Sequence, residues 1–598
     1  MIKKDLNSDL GRKGVEEKYF FFLQLWHELL DQRTLDIYQY RLFNTYSSLN
    51  ELISVIDKTF SGIFTTNHNI DACVDECAQI VKKDIILKKH NISLWRALVN
   101  HLNQKHGQKS EQLSLKFQAT YAISILGESY IHWIFDEIKN DIDNGNNEDL
   151  VYHTQVLISQ CIYNGWSTKS LYQCDRFFYN SFKPETSDER WEYFKNNLLS
   201  SERDFKIFVN IKNLSLQHSE ILSDVLCLDV NTGASIVQKK FDTDKDKLKN
   251  LFERDKKYVE YQLKAKDIYS ASNLAIKKIS DKINTLSFYN IINAWDMHNI
   301  NIIAVDVMSR HFKSLSCEDL FKTYDYIDSS GFVFENTINI IQDSRYKKIG
   351  DKLLGAFSYA NISRASFFHE EKYMTLWIAL ESLSRTEMCS DIISNVKITV
   401  PAALSIRYLF RILRNFAEDM IRCNVDLNFS TTNFDIKNSS KSQLVKDIIT
   451  IMKNDVLYYE LENKCSCSCL LLHRIKEVRK IITDLDYLIQ KYKNYYNHIL
   501  WQIQRLYRIR NEIAHSASTE NLSLTIYTEH LYDYLSTFIS EIISCVSENN
   551  LTTLEEVFCK IQDNYSVFKE IADSRNKSQE DKDLINRTVC TTGILSFM

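Results

Sequence analysis

Apolar side chains recur at helical spacing through the N-terminal third of the chain. Between residues 19 and 59, Leu25 and Leu29 belong to a series that repeats every three or four positions, as on one face of a helix. Polar residues with Asn, Asp and Gly cluster at 141–150 and mark a connection between helices. The pattern predicts a helical N-terminal region over residues 1–200.

The hydrophobic period changes to two after this region. Apolar residues alternate at Phe205, Ile207 and Val209, which is typical of a strand. Similar short apolar runs follow at 225–230, 258–265 and 299–307. An amphipathic helix, with Asp267 as its predicted N-cap, lies between the last two runs. These elements predict a small α+β module over residues 203–335.

The helical period returns from residue 336 onward. Helices are predicted near 345–361, 368–386, 400–423, 443–462, 470–514 and 521–546. A polar stretch at 424–443 interrupts them and is typical of an exposed insertion. We therefore predict a helical bundle over 336–548, followed by a C-terminal helix and a charged tail over 549–598. The predicted fold class is mainly α, with the small α+β module in the middle.

Composition supports this interpretation and excludes several protein classes. Two prolines and 12 glycines in 598 residues leave few obligate breaks, which favours long helices. No apolar run approaches the ~18–20 residues that span a bilayer, and 14 cysteines are too sparse for a disulfide framework. We expect a cytoplasmic protein with free thiols. The net charge of −5 provides no global basic field, so any nucleic-acid site must be a local patch.

The segment RLYRIRNEIAHSAS at 505–518 concentrates the candidate chemistry. Asn511 directly follows Arg510, and His515 stands five residues after the arginine, at the end of a long predicted helix. A guanidinium presents a planar fork of donors that fits a phosphate. Histidine is the side chain that ordinarily changes protonation near neutral pH, which suits proton transfer. Arginine and histidine together predict a site that acts on a phosphodiester.

The interval between the arginine and the histidine is weak evidence on its own. Arg364 and His369 have the same spacing, so only context separates them from Arg510 and His515. Five residues on an ideal helix place two side chains about 140° apart. The pair can therefore act on one bond only if the helix end unwinds or a second copy of the chain completes the site.

The RN-x-x-x-H pattern that ends at His515, next to the last helix of a bundle, resembles the signature of HEPN ribonuclease domains. Two upstream segments, YMTLWIALESLSR at 373–385 and AALSIRYLFRILRNFAEDM at 402–420, are similar to the ApeA-like branch of HEPN proteins from bacterial anti-phage systems. The resemblance covers about residues 340–546, roughly a third of the chain.

The resemblance implies an endoribonuclease of the anti-phage, abortive-infection type that needs no metal or other cofactor. Its site forms across a symmetric homodimer, with one arginine and one histidine from each protomer. His515 would be the general base or acid, Arg510 would stabilise charge on the phosphorus-centred transition state, and Asn511 would orient the phosphate or the histidine. The products would be 2′,3′-cyclic phosphate and 5′-hydroxyl ends. RNA with exposed loops, such as tRNA, suits this chemistry, whereas DNA lacks the 2′-hydroxyl.

A local basic stretch provides candidates for RNA binding. Between residues 473 and 510 the chain has nine Lys or Arg and three acids, with tyrosines interleaved. The candidates are Arg505, Arg508, Tyr507, Lys491 and Lys493. A solvated helix face with tyrosines in the core accounts equally well for any one of them.

Glu381 lies four residues after Trp377 on a largely apolar helix face. A carboxylate in that position needs a partner. It could support Arg510 or another arginine of the bundle, and a structural ion pair is the simpler interpretation.

The segment CSCSCLLLH raises the question of a metal site. Its candidate ligands are Cys465, Cys467, Cys469 and His473. Alternating cysteines suit one zinc ion poorly, because zinc-binding cysteines are usually separated by two to four intervening residues, and here only one intervenes. We therefore predict free thiols and no metal.

Two other classes of function are compatible with the chain. A HEPN bundle without catalytic activity could bind a nucleotide or a partner protein, with His515 serving only near a helix C-terminus. The chain could also be an assembly scaffold. The arginine, asparagine and histidine together favour the nuclease, and the remaining regions would then sense a phage-derived trigger or restrain the enzyme.

Overall fold

The computed structural model describes most of the chain, and the described part is mainly α-helical with one small antiparallel sheet, as predicted. The described residues are 6–31, 34–35, 43–64, 68–179, 186–210, 229–238, 250–289, 300–316, 319–320, 331–387, 392–430, 432, 434, 441–516, 524–574 and 578. The chain divides into two compact units. The first unit comprises Met1–Gln160, Tyr179–Ser181 and Tyr326–Met598, and the second comprises Cys161–Phe178 and Phe182–Asp325.

The N-terminal part of the first unit is a series of helices with polar caps. The helices are α1 Asn7–Arg12, α2 Phe20–Leu30, α3 Thr45–Phe60, α4 His68–Lys83, α5 Ile85–His90, α6 Ile92–Leu102, α7 Lys109–Leu126, α8 Ser129–Asn144 and α9 Asn147–Tyr163, the last ending in the second unit. Asn44 and Ser47 form a capping box that fixes the start of α3. Asp84 caps α5 and accepts hydrogen bonds from the hydroxyls of Thr45 and Tyr130.

The second unit contains short helices and the sheet. Its helices are α10 Thr168–Tyr172, α11 Arg176–Tyr179, which ends in the first unit, α12 Ser187–Leu199, α13 Gly233–Gln238 and α14 Ile268–Phe288. Its strands are β1 Arg203–Asn210, β2 Asp229–Thr232, β3 Lys257–Ala265, β4 Asn301–Asp306 and β5 Phe312–Ser316, in the order β2-β3-β1-β4-β5. Asp267 caps α14 as predicted, and β5 was not predicted.

The C-terminal part of the first unit is the predicted bundle. Its helices are α15 Gly331–Gln342, α16 Lys347–Ala365, α17 His369–Ser384, α18 Ile392–Ile406, α19 Tyr408–Arg422, α20 Lys441–Lys453, α21 Asp455–Lys464, α22 Cys469–Thr483, α23 Leu485–Ser516, α24 Leu524–Asn549 and α25 Leu554–Asp573. The predicted apolar face of α24 is buried throughout, from Leu531 to Phe538 and Ile542. Helix α24 packs mainly against α15, α17 and α18, and its His530 lies 2.8 Å from Gln502 on the helix that carries the candidate site.

The N-terminal helices and the bundle belong to one compact unit, which differs from the predicted division at residue 200. Arg474 on α22 is buried and forms ion pairs with Glu28 on α2 and Asp419 on α19. The side-chain oxygen of Gln24 on α2 also accepts the backbone N–H of Leu470 at 2.9 Å. The buried charge of Arg474 and a backbone N–H in the first turn of α22 are therefore both satisfied by residues of α2, more than 400 positions away in the sequence.

Some predicted segments lie wholly or partly outside the described residues. They are the connection at 181–190, the start of the apolar run at 225–230, the insertion at 424–443 and the tail beyond 578. The predicted C-terminal helix is α25. Within the part of the chain that is described, no helix is both long and apolar enough to cross a bilayer.

Candidate active site on the long helix

The predicted motif lies in the last turns of the long helix α23. The helix predicted at 470–514 is divided into α22 and α23, because Asp484 has extended backbone and its carboxylate accepts the backbone N–H of Tyr487 at 3.0 Å. From there α23 runs without interruption through His515. The motif is therefore held on a regular helix that begins more than six turns earlier.

Helix α17 positions this end of α23. The Tyr373 hydroxyl donates a hydrogen bond to the carbonyl of Leu506, and the rings of Trp377 and Tyr507 lie 5.9 Å apart. Tyr373 and Trp377 are almost completely buried. The fold thus brings together two of the three segments that carry the resemblance, 373–385 and the RN-x-x-x-H pattern.

Arg510 is partly exposed and only loosely paired. Its Nη2 lies 4.0 Å from Oε2 of Glu381, and its Nη1 donates a hydrogen bond of 3.2 Å to Oδ1 of Asn511. About a third of the Arg510 side chain is exposed. Its Nε is buried and has no hydrogen-bond partner among the described residues. Glu381 therefore faces Arg510, which was one of its predicted partners, while the guanidinium keeps donor capacity for another group.

Asn511 and His515 complete the exposed edge of the motif. Asn511 is half-buried next to Arg510, and His515 is exposed in the last turn of α23. Because the helix continues through His515, the ideal separation of about 140° between the Arg510 and His515 side chains applies. The helix therefore does not unwind at His515, and the two side chains of one chain diverge.

Arg505 and Arg508 have a different role from the one predicted. Both are 3% exposed, and their guanidinium groups lie 3.1 and 2.9 Å from the carboxylate of Glu51 on α3. Arg505 also pairs with Glu76 on α4 at 2.5 Å. Burial acts to raise the pKa of Glu51, but the two guanidinium groups lower it to about 2. These arginines are structural ion-pair partners, not RNA contacts.

The remaining RNA-binding candidates also have partners within the protein. Lys491 pairs with Glu477 at 2.6 Å, and Lys493 pairs with Asp573 at 2.5 Å. Tyr507 is partly buried against Trp377. Each of the three side chains therefore contacts another helix of the bundle, while the Lys493 side chain is still 42% exposed and the RNA-binding role of the three stays a prediction.

Most of the predicted basic face is neutralised by carboxylates from other elements. Besides the pairs already described, Lys476 lies 3.5 Å from Glu462, and Arg479 pairs with Asp455. Apart from Glu477, these acids lie outside the basic stretch, so the local sequence overestimates its net positive charge. Among the arginines of the motif segment, Arg510 has the largest exposure to solvent.

Three of the four candidate zinc ligands, Cys467, Cys469 and His473, contact different residues. Sγ of Cys469 lies 3.4 Å from Oδ1 of Asn7, and the His473 ring packs edge to face on Phe21 at 5.3 Å. A hydrogen bond from Cys423 lowers the pKa of Cys467 to about 7. Within the described ranges, no three His, Cys, Asp or Glu side chains are grouped as metal ligands.

One contact near the motif could not be found from the sequence. Lys58, at the end of α3, lies 2.8 Å from Glu512, which directly follows Asn511. The two residues are 454 positions apart, and neither belongs to a recognisable motif. This ion pair and the Glu51 cluster join the N-terminal helix α3 to the helix that carries the candidate site.

No protein-family model, curated protein or solved structure matches this chain. The resemblance to HEPN ribonucleases therefore depends on the sequence segments named above.

Proposed function

We propose that this protein is a metal-independent endoribonuclease of the anti-phage type, whose active site forms between two copies of the chain. One observation carries the proposal. In the segment 505–510, two arginines are locked in buried ion pairs, whereas Arg510 is partly exposed, loosely paired and hydrogen-bonded to Asn511, with the exposed His515 at the end of the same helix.

The proposed reaction needs only protein side chains and the RNA itself. His515 of one copy takes the proton from a ribose 2′-hydroxyl, and the 2′-oxygen forms a bond to phosphorus. The bond between phosphorus and the 5′-oxygen breaks, and the protonated His515 or a water molecule donates a proton to that oxygen. Arg510 stabilises the added negative charge on the non-bridging oxygens. The products are a 2′,3′-cyclic phosphate and a 5′-hydroxyl.

The requirement for two copies comes from the geometry of α23. Arg510 and His515 are separated by about 7.5 Å along the axis of an ideal helix and by about 140° around it, so their side chains diverge. A symmetric pair of helices can place the arginine of one chain near the histidine of the other. We therefore propose a homodimer as the active form.

The decisive experiment is cleavage of total bacterial RNA by the purified protein in EDTA. An extract of phage-infected cells is added in a parallel reaction to supply a trigger, and an extract with the His515→Ala protein measures background nucleases. We expect RNA fragments with 2′,3′-cyclic phosphate ends and no cleavage of DNA of the same sequence, because DNA lacks the attacking hydroxyl. The proposal fails if EDTA abolishes cleavage, if the fragments have 5′-phosphates, or if both reactions leave RNA intact.

Replacing Glu381 by glutamine should have a small effect on this reaction. The pair with Arg510 spans 4.0 Å and is partly exposed, and such pairs contribute at most about 1 kcal/mol. We expect RNA cleavage to slow by no more than about fivefold. Initial rates at saturating RNA test this, and a loss as large as that of the Arg510→Ala protein would instead give Glu381 a direct part in the chemistry.

A further inference from the structure

The first unit contains a cavity that the proposed chemistry does not use. Its volume is about 430 Å³, within the range of roughly 300–1,000 Å³ typical of small-molecule sites. It lies between the N-terminal helices α2, α4 and α9 and the bundle helices α19, α22, α23 and α24. Its inner wall is well buried, since Leu29 and Ile412 are each 1% exposed.

Aromatic side chains make up much of this wall. Tyr152 on α9, Tyr495 and Trp501 on α23, and Tyr534 on α24 all line the cavity. Tyr495 and Tyr534 are more than 90% buried, so their positions are fixed by packing. Aromatic faces of this kind stack on planar rings such as nucleobases.

The polar groups of the wall can both donate and accept hydrogen bonds. Gln155, Asn494 and Gln502 contribute amides, and the Gln502 side chain lies 2.8 Å from Nδ1 of His530. Burial lowers the pKa of His473, another lining residue, which favours its neutral imidazole. Neutral amides and imidazoles match the alternating donors and acceptors of a heteroaromatic ring.

The charges of the wall do not favour an anion. The cations that line the cavity are Arg474, Lys491 and Arg505, and they pair with Glu28, Glu477 and Glu76, which also line it. Glu148 at the exposed edge adds one more negative charge. A phosphate group in the cavity would meet only cations that already pair with carboxylates, and the charge of Glu148 would repel it.

We propose that this cavity binds a nucleobase or nucleoside without a phosphate group. The site is joined to the candidate active site, because Arg505 and Glu76 line the cavity and belong to the ion-pair cluster that holds α23. A second ion pair, between Lys58 on α3 and Glu512 on α23, joins these two helices next to Asn511. In the proposed ribonuclease, on which this step depends, the cavity is an effector site that changes the rate of RNA cleavage.

Calorimetry with the full-length protein tests binding without any need for activity. Adenosine, guanosine, cytidine and uridine are each titrated beside the corresponding 5′-monophosphate. We expect at least one nucleoside to bind, and its monophosphate to bind at least tenfold more weakly. Absence of heat with all four nucleosides at millimolar concentration, or tighter binding of a monophosphate, would overturn the proposal.

Two substitutions on α9 locate the binding site. Tyr152→Leu removes one aromatic wall and should weaken nucleoside binding by about 5- to 150-fold. Gln155→Leu, which removes a polar group, should also weaken it. Tyr121→Leu is the matched control, since Tyr121 is an exposed tyrosine on α7 outside the cavity. Equal affinity in all three variants would place the ligand elsewhere, and thermal unfolding identifies any variant that does not fold.

The effector role is measured separately from binding. With saturating nucleoside, we expect the rate of RNA cleavage to change by about fivefold or more. The His515→Ala protein should still bind the nucleoside, because His515 does not line the cavity. Binding with an unchanged cleavage rate would overturn the effector role alone, whereas cleavage by His515→Ala at the rate of the wild type would overturn the proposed active site and leave the cavity intact.

Discussion

Replacement of His515 by alanine is expected to slow RNA cleavage by about 10²- to 10⁴-fold, the contribution typical of a general acid–base group. Replacement of Arg510 by alanine should slow it by about 10²- to 10³-fold, because the negative charge on the non-bridging oxygens loses its stabilising donor. Both side chains are at least partly exposed, so the free energy of unfolding should change little. Single-turnover cleavage and thermal unfolding of each variant measure the two effects.

Arg364→Ala is the matched control for these variants. Arg364 is exposed on α16 and has the same spacing from His369 that Arg510 has from His515. His369, however, is buried, and its Nε2 lies 3.0 Å from the hydroxyl of Thr525. Arg364→Ala should cleave RNA at the rate of the wild type. Equal activity of the Arg510, His515 and Arg364 variants would mean that the motif is only the end of a helix.

A mixture of the two inactive variants tests the dimeric arrangement. A dimer of one Arg510→Ala chain and one His515→Ala chain retains one arginine and one histidine, on different chains. If the active site joins the arginine of one chain to the histidine of the other, mixing after partial denaturation and refolding should restore part of the activity. A mixture as inactive as its components would contradict an active site shared in this way.

The hydrophobic period predicted much of the fold because it depends on local geometry. Alternation at Phe205, Ile207 and Val209 identified β1, and Asp267 was recognised as an N-cap from its position before an apolar series. The division of the predicted helix at Asp484 was missed, although Asp is itself a capping residue. The spacing of apolar residues continues across Asp484 without interruption. One long helix and two consecutive helices therefore give the same hydrophobic pattern, and the sequence cannot separate them.

The roles of charged residues were less predictable, because their partners are distant in the sequence. The local excess of basic residues around α23 suggested an RNA-binding face. Its charge is neutralised instead by Glu28, Glu51 and Glu76 from the N-terminal helices and by Asp573 from α25. Spacing along one helix cannot reveal such partners, so the same pattern describes an exposed basic face and a buried ion-pair network.

These distant pairs give the N-terminal helices a direct connection to the candidate site. The carboxylate of Glu51 bridges Arg505 and Arg508, which precede Arg510 on the same helix. A change in the position of α3 must therefore move α23 or break buried ion pairs. The position of the N-terminal helix α3 and that of the candidate site on α23 are therefore coupled through buried charges.

The substitution with the largest expected effect on stability is Glu51→Gln. It removes the charge that Arg505 and Arg508 share, and both guanidinium groups are 97% buried. Loss of one partner from a buried ion pair typically costs about 3–5 kcal/mol, because an uncompensated charge is left in the interior. We expect a decrease of that size in the free energy of unfolding, measured by urea denaturation at pH 7.

Asp57→Asn on the same helix provides the control. Asp57 pairs with Lys116 at an exposed site, where removal of the pair should cost less than about 1 kcal/mol. Similar losses in the two variants would contradict a special role for the buried cluster.

Because the folded-state pKa of Glu51 is about 2, below its usual 4.5, its ionisation stabilises the fold above pH ~4.5 and this contribution is lost as the pH falls towards 2. The difference between the wild type and Glu51→Gln should therefore be constant above pH 5 and shrink below pH 4.5.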